Sequence, residues 1–145
     1  MIVRPWRIGD SESLSLQPSQ RYSGDLADVS QDLTPLADVG LAWTGEVDGR
    51  AIMCAGLLPQ WHNRAIAWAL VGESAGRHFA VIHKAAHRFL VSAPYRRIEA
   101  HVDVGFPQGA RWMKMLGFEI EGYMKAFRPD GADMLLFARV RSWRS

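Results

Sequence analysis

The apolar positions of this chain switch between a two-residue and a 3.6-residue period, and those switches set out its elements. Ile2 to Trp6 reads as a short strand, and Asp10 stands where a helix N-cap would. Residues 11–24, rich in Ser, Gln and Gly, predict a weak helix and a loop. Leu26, Val29 and Leu33 share one helical face that Pro35 closes. The pattern then turns to sheet. Val39 to Val47 predicts a strand, Asp48-Gly49 a two-residue hairpin turn, and Arg50 to Leu57 the returning strand. A loop through Pro59, Trp61, His62 and Asn63 leads to a third apolar strand, Ala65 to Val71. The clearest helix places Phe79, Ile82, Ala86, Phe89 and Leu90 on one face and Lys84, His87 and Arg88 towards the other. Pro94 stops it, and Arg97 to Val102 alternates as a strand. A second helix over Gln108 to Leu116 ends at Gly117, and Phe118–Arg128 with Ala132–Arg141 predicts a hairpin across Pro129-Asp130-Gly131. This order predicts an α/β (α+β) fold: a mixed, mostly antiparallel sheet of six to seven strands with helices on both faces.

Composition narrows the class without naming a function. A chain of 145 residues fits one domain spanning 1–145, and 48% hydrophobic with 22% charged residues is ordinary for a globular protein. No apolar run approaches the ~20 residues of a membrane span, and the opening Met-Ile-Val-Arg-Pro-Trp has no apolar run of signal-peptide length, so secretion through a signal peptide is not expected. Cys54 is the only cysteine, which excludes a disulfide framework and fits a reducing compartment. The net charge of +2 is too small to argue for a nucleic-acid surface by itself.

Several side chains carry candidate chemistry. Glu99, His101 and Asp103 alternate, so they share one strand face, where Glu99 or His101 would act as a general base on an amine. The same pattern also describes a solvated strand face. His83 and His87 have the i, i+4 spacing of zinc ligands, but no Glu follows His83 and no third ligand is implied. They read as a surface pair, and no metal is expected. Trp43 and Trp68 read as core, whereas Trp61 beside His62 lines a cleft or an interface or anchors its loop. Arg139, Arg141 and Arg144 with Trp143 make a basic C-terminus, a contact for nucleic acid or another subunit if it is not simply a solvated tail. Cys54, in an apolar strand with nothing basic adjacent, reads as a buried small hydrophobe.

The element order, the opening Val3-Arg4-Pro5-Trp6 with Asp10, and the segment Ile98-Glu99-Ala100-His101-Val102 resemble the GNAT family of acetyl-CoA-dependent N-acetyltransferases. Leu116-Gly117-Phe118-Glu119-Ile120-Glu121-Gly122 followed by Asp130-Gly131-Ala132-Asp133 is the most specific part of the match. The resemblance implies acetyl-CoA as cofactor, its pyrophosphate held by backbone amides at a helix N-terminus. Ser74, Ala75, Gly76 and Arg77 then fall in the cofactor-binding loop.

The family's working residues are where this sequence departs. The loop pattern is Arg/Gln-x-x-Gly-x-Gly/Ala, and alignment on Gly76 puts Glu73 at the basic position and His78 at the small one. A carboxylate there repels a pyrophosphate. Counting back from Gly117-Phe118, the family's Asn falls on Phe106 and its proton-donating Tyr on Met113, which has no proton to give. With the Arg111-Trp112 run, these departures resemble a narrower group, the acetyltransferase-like internal virion proteins of short-tailed phages. That resemblance implies a virion-associated or assembly component with a degenerate CoA site, located in the virion or host cytoplasm. Its partners would be other virion or assembly proteins or further copies of itself, with neither membrane nor nucleic acid. The alternative is an active acetyl-CoA-dependent N-acetyltransferase acting on an amine.

Overall fold

The computed structural model describes residues 1–15 and 41–142. The helix expected around Leu26, Val29 and Leu33 lies outside them, as do Trp143 and Arg144. Seven strands form the sheet: β1 (Ile2–Pro5), β2 (Ala42–Val47), β3 (Arg50–Trp61), β4 (Arg64–Val71), β5 (Arg97–Asp103), β6 (Glu119–Met124) and β7 (Met134–Val140). Their order is β1-β2-β3-β4-β5-β7-β6. β4 and β5 pair in parallel, whereas β1/β2, β2/β3, β5/β7 and β6/β7 are antiparallel. A parallel pair needs a crossover, supplied by a 3-10 helix (Glu73–His78) running into α1 (Phe79–Ser92). Helix α2 (Pro107–Met115) joins β5 to β6. The mixed, mostly antiparallel sheet expected from the sequence is therefore present.

The chain groups into two compact units, one within Met1–Leu58 and Trp68–Val91, the other within Pro59–Ala67 and Ser92–Ser145. In the first, Trp6, Ala42 and Cys54 form a buried cluster with Leu14, Leu41, Leu58 and Trp68 against it. Trp43 is buried as well, as the sequence suggested. Asp48 and Gly49 both adopt positive φ (51° and 79°), the turn geometry whose twist suits a tight hairpin. On α1 the buried residues are Ile82, Ala86 and Leu90, while Phe79, on the expected apolar face, is 41% exposed at the helix start.

Asp10 departs from its expected role as a helix cap. Residues 8–13 form turns, and the Asp10 carboxylate points back into the unit. Arg4 donates to it through Nη1 (2.8 Å) and Nη2 (2.9 Å), the Arg7 amide at 2.7 Å, and Thr44 Oγ1 at 2.8 Å. Arg4 Nε also donates to Glu46 Oε2 at 2.7 Å. One carboxylate thus ties β1, the following turn and β2 together. The Thr44 hydroxyl also lies 3.7 Å from Cys54 Sγ, and burial pushes that thiol's pKa up, so it is an inert, protonated core group.

In the second unit α2 packs on β5, with Gly109 against Val102. The helix stops as anticipated at Gly117 (φ 91°), where Phe118 N–H donates to Met113 O (2.9 Å) and Gly117 N–H to Lys114 O (3.1 Å). Arg139 lies in β7, within the strand expected over Ala132–Arg141, and its side chain is not a solvated tail but donates through Nε to Leu116 O at 3.1 Å. Two expectations for this unit need correction. The stretch at Pro59 and Trp61 is the end of β3, with His62 and Asn63 as the turn into β4. Proline is tolerated there because β2 pairs with β3 only between Arg50 and Gly56, so Pro59 owes that neighbour no donor. The last hairpin is also shorter than expected, because Ala126 turns left-handed (φ 50°) with its N–H on Asp133 Oδ1 (2.7 Å) and ends the ladder.

Burial pushes the Asp10 carboxyl up, but the hydrogen bonds from Arg4, the Arg7 amide and Thr44 outweigh it and bring the pKa down to about 2, from 3.8. A carboxyl lowered in this way stabilises the fold above its unfolded pKa and loses that contribution as pH falls towards its folded one. Asp10→Asn is expected to cost about 2 kcal/mol at pH 7 and to flatten the pH dependence of urea unfolding between roughly pH 4 and 2. An unchanged midpoint at pH 7 would show that the Asp10 hub is dispensable.

Candidate functional site

The candidate cofactor residues sit in the first unit, in the turn after β4. Gly72 N–H donates to Ile52 O at 2.8 Å, which carries the sheet pairing to the edge of the turn. From Glu73 the backbone tightens into the 3-10 helix, whose i→i+3 bonds direct amides back along its own axis. Ala75 N–H donates to Gly72 O (3.1 Å), and Phe79 N–H to Gly76 O. Glu73 N–H is taken by Ser15 O at 2.8 Å. Ser74, Gly76 and Arg77 are exposed, whereas Ala75 is buried. Glu73 lies in the first turn, where a carboxylate complements the positive end of a helix.

The candidate bases sit in the second unit, on the face of β5 opposite Ile98, Ala100 and Val102. Glu99 is only 5% exposed. Arg64 grips both of its oxygens, through Nε to Oε2 and through Nη2 to Oε1 at 2.9 Å, and Arg97 Nε donates to Oε2 at 2.8 Å. Arg97 continues to Glu121 at 2.5 Å and 3.1 Å. The Arg64 hydrogen bonds, with those of Arg97 beside them, outweigh burial and hold the Glu99 pKa at about 2. A carboxylate so paired is a weak base. Trp61, 59% exposed at the end of β3, carries the Arg64 guanidinium 4.7 Å from its ring centroid.

His101 has a different environment. The Phe127 ring meets it edge-on, with centroids 5.0 Å apart and planes at 76°. Burial lowers its pKa, and the pull of Glu99 in the other direction does not restore it. The imidazole is thus neutral at pH 7 and holds a lone pair able to take a proton. Beyond it, Arg128 joins Asp103 to Asp130, and Tyr123 Oη donates to Asp133 Oδ2 at 2.6 Å. These bonds strap the β6–β7 connection, with Phe127 on it, to the end of β5. Phe106 and Met113 occupy the N-cap and second turn of α2, and neither supplies a proton. The partnership of Arg64 with Glu99 was not readable from spacing, because the parallel register Arg64↔Arg97 and Ile66↔Glu99 brings them together. Arg97, two residues from Glu99 on the same strand face, was the one available hint. The Phe127 contact left no signal.

His83 and His87 lie side by side on α1 with their rings tilted, and no third His, Cys, Asp or Glu joins them into a metal-sized group among the described residues. No helix among the described residues is long and apolar enough to cross a membrane.

No protein-family model matches the sequence, and no curated protein matches it. Solved structures do. Ribosomal-protein-alanine N-acetyltransferase from Brucella melitensis superposes with a TM-score of 0.72 at 15% identity, over 97% of this chain and 100% of that one. Ard1 from Thermoplasma volcanium gives 0.69 at 14% identity, with 97% of each chain covered. A GNAT-family acetyltransferase from Streptococcus pneumoniae gives 0.67 at 14%, over 97% of this chain and 99% of that one. At these identities the likeness is one of fold, and the fold is that of GNAT acetyltransferases.

Replacing Glu99 by Gln removes the charge that offsets Arg64 and Arg97 and the one that holds the His101 pKa up. Glu99→Gln is expected to cost about 3 kcal/mol in denaturant unfolding. It should also move the His101 midpoint, followed by NMR of its ring protons, further below 6.5. A midpoint that rises would mean Glu99 does not act on His101.

Proposed function

We propose that this GNAT-fold chain is a non-catalytic, virion-associated or assembly component whose cofactor turn no longer takes acetyl-CoA. The observation that carries the reading is the 3-10 helix over Glu73–His78. A pyrophosphate needs several amides converging on it at once. Here those of Glu73, Ala75 and Phe79 are already bonded to protein carbonyls. Glu73 supplies in the first turn the negative charge that a phosphate would otherwise bring. The residues present therefore do not fit the cofactor's anionic end. The engagement of Glu99 with two arginines and the absence of a hydroxyl at Met113 support the same reading. The resemblance of the Arg111-Trp112 to Asp133 region to internal virion proteins supports the assembly role.

One observation favours a second reading, an N-acetyltransferase. His101 is neutral, half-buried and without a hydrogen-bond partner among the described residues. It could accept the proton of an ammonium acceptor, a general-base role that Glu99 cannot fill.

Calorimetry with acetyl-CoA at low salt separates the two. The assembly reading expects no heat of binding at millimolar ligand. Stoichiometric binding together with acetyl transfer to an amine would overturn it. In that case His101→Ala should lower kcat about 10²–10⁴-fold.

A further inference from the structure

The net charge of the chain conceals a segregation. Residues 74–98 contain none of the 15 Asp+Glu but five of the 17 Lys+Arg and three of the five His. In the first unit, Phe79–Val91 of this stretch belong to α1, which buries Ile82, Ala86 and Leu90 and leaves the side bearing Lys84 and Arg88 exposed. Lys84 and Arg88 stand one turn apart on α1 and are exposed, and so is Arg77 in the 3-10 helix that leads into it. Val81 (44% exposed) and Val91 (50%) lie among them. Beside the cations runs a column of rings. Phe79 and His83 stack with centroids 5.9 Å apart and planes at 27°, and His83 and His87 follow at 6.4 Å and 32°.

From this arrangement we infer that the outward face of α1 docks single-stranded nucleic acid. Arg77, Lys84 and Arg88 meet phosphates, and the edge of the ring column at Phe79 and His87 offers a planar surface to a base. An acidic peptide would be drawn by the same cations, but it has no use for stacked rings. Cations alternating with flat π-surfaces are the combination that binds single strands without reading their sequence. The expectation of no nucleic acid rested on the net charge of +2, which averages this face with the acidic remainder of the chain. The inference does not depend on whether acetyl-CoA binds.

The test is fluorescence anisotropy of a labelled 20-nucleotide oligo(dT) with the full chain. Three phosphate contacts predict a log–log salt slope of about −2, and so an affinity loss of roughly twentyfold between 50 and 200 mM salt. Lys84→Glu with Arg88→Glu should weaken binding at least tenfold while circular dichroism stays unchanged. Phe79→Ala should weaken it about fivefold to a hundredfold through lost stacking. Arg50→Glu, at an exposed cation on β3, should leave it within twofold. The inference fails if no binding is seen at 50 mM salt or if Arg50→Glu weakens it as much as Lys84→Glu. It also fails if poly-glutamate competes as well as unlabelled oligonucleotide, which would assign the face to an acidic protein.

Discussion

The second unit is organised around one buried carboxylate. Glu99 has both oxygens occupied by Arg64 from β4 and Arg97 from its own strand, at the only parallel junction among the described strand pairings. Burying a charge costs several kcal/mol, and only close, well-directed partners repay it. The register Arg64↔Arg97, Ala65↔Ile98, Ile66↔Glu99 is what supplies those partners. A slip of one residue would turn Glu99 to the other face of the strand, towards Ile98 and Ala100 positions that are apolar. The ion pair therefore enforces the register of the short parallel pairing. The same pairing makes the Glu99 carboxylate a weak base.

His101 shows how two residues on one strand face acquire different chemistry. Glu99 is paired and its pKa falls, whereas His101 meets the edge of Phe127 and burial lowers its own. The loop that places Phe127 is tied down by Arg128 between Asp103 and Asp130 and by Asp133 beneath Tyr123 and Ala126. In the first unit Asp10 plays the part that Glu99 plays in the second. Each unit thus carries one nearly buried carboxylate that arginine satisfies, and each carboxylate links a strand to a neighbour.

The 3-10 helix after β4 is the element on which the proposed function rests. The fold is similar to that of solved GNAT-family acetyltransferases at 14–15% identity. Its six residues wind tighter than an α-helix, with the Ala75 and Phe79 amides bonded to backbone carbonyls. Fold and function are then set by different residues.

Periodicity and turn chemistry alone determined most of the layout: the hairpin at Asp48-Gly49, the buried face of α1 at Ile82, Ala86 and Leu90, and the end of α2 at Gly117. Each of these is a local choice, decided by neighbours a few residues away. The sequence also exposed the odd composition of residues 73–78, because a carboxylate and an imidazole stand where the resembled pattern has a base and a small residue. Only the tertiary structure decided how Asp10 and Glu99 join strands, since beside their local partners each has one 34 or 35 residues away in the chain, at Thr44 and Arg64. It alone extended β3 through Pro59, because the tolerance of a proline depends on which neighbour is missing. Long-range pairing leaves no periodic trace, so spacing put Glu99 on its strand face but only the fold brought Arg64 to it.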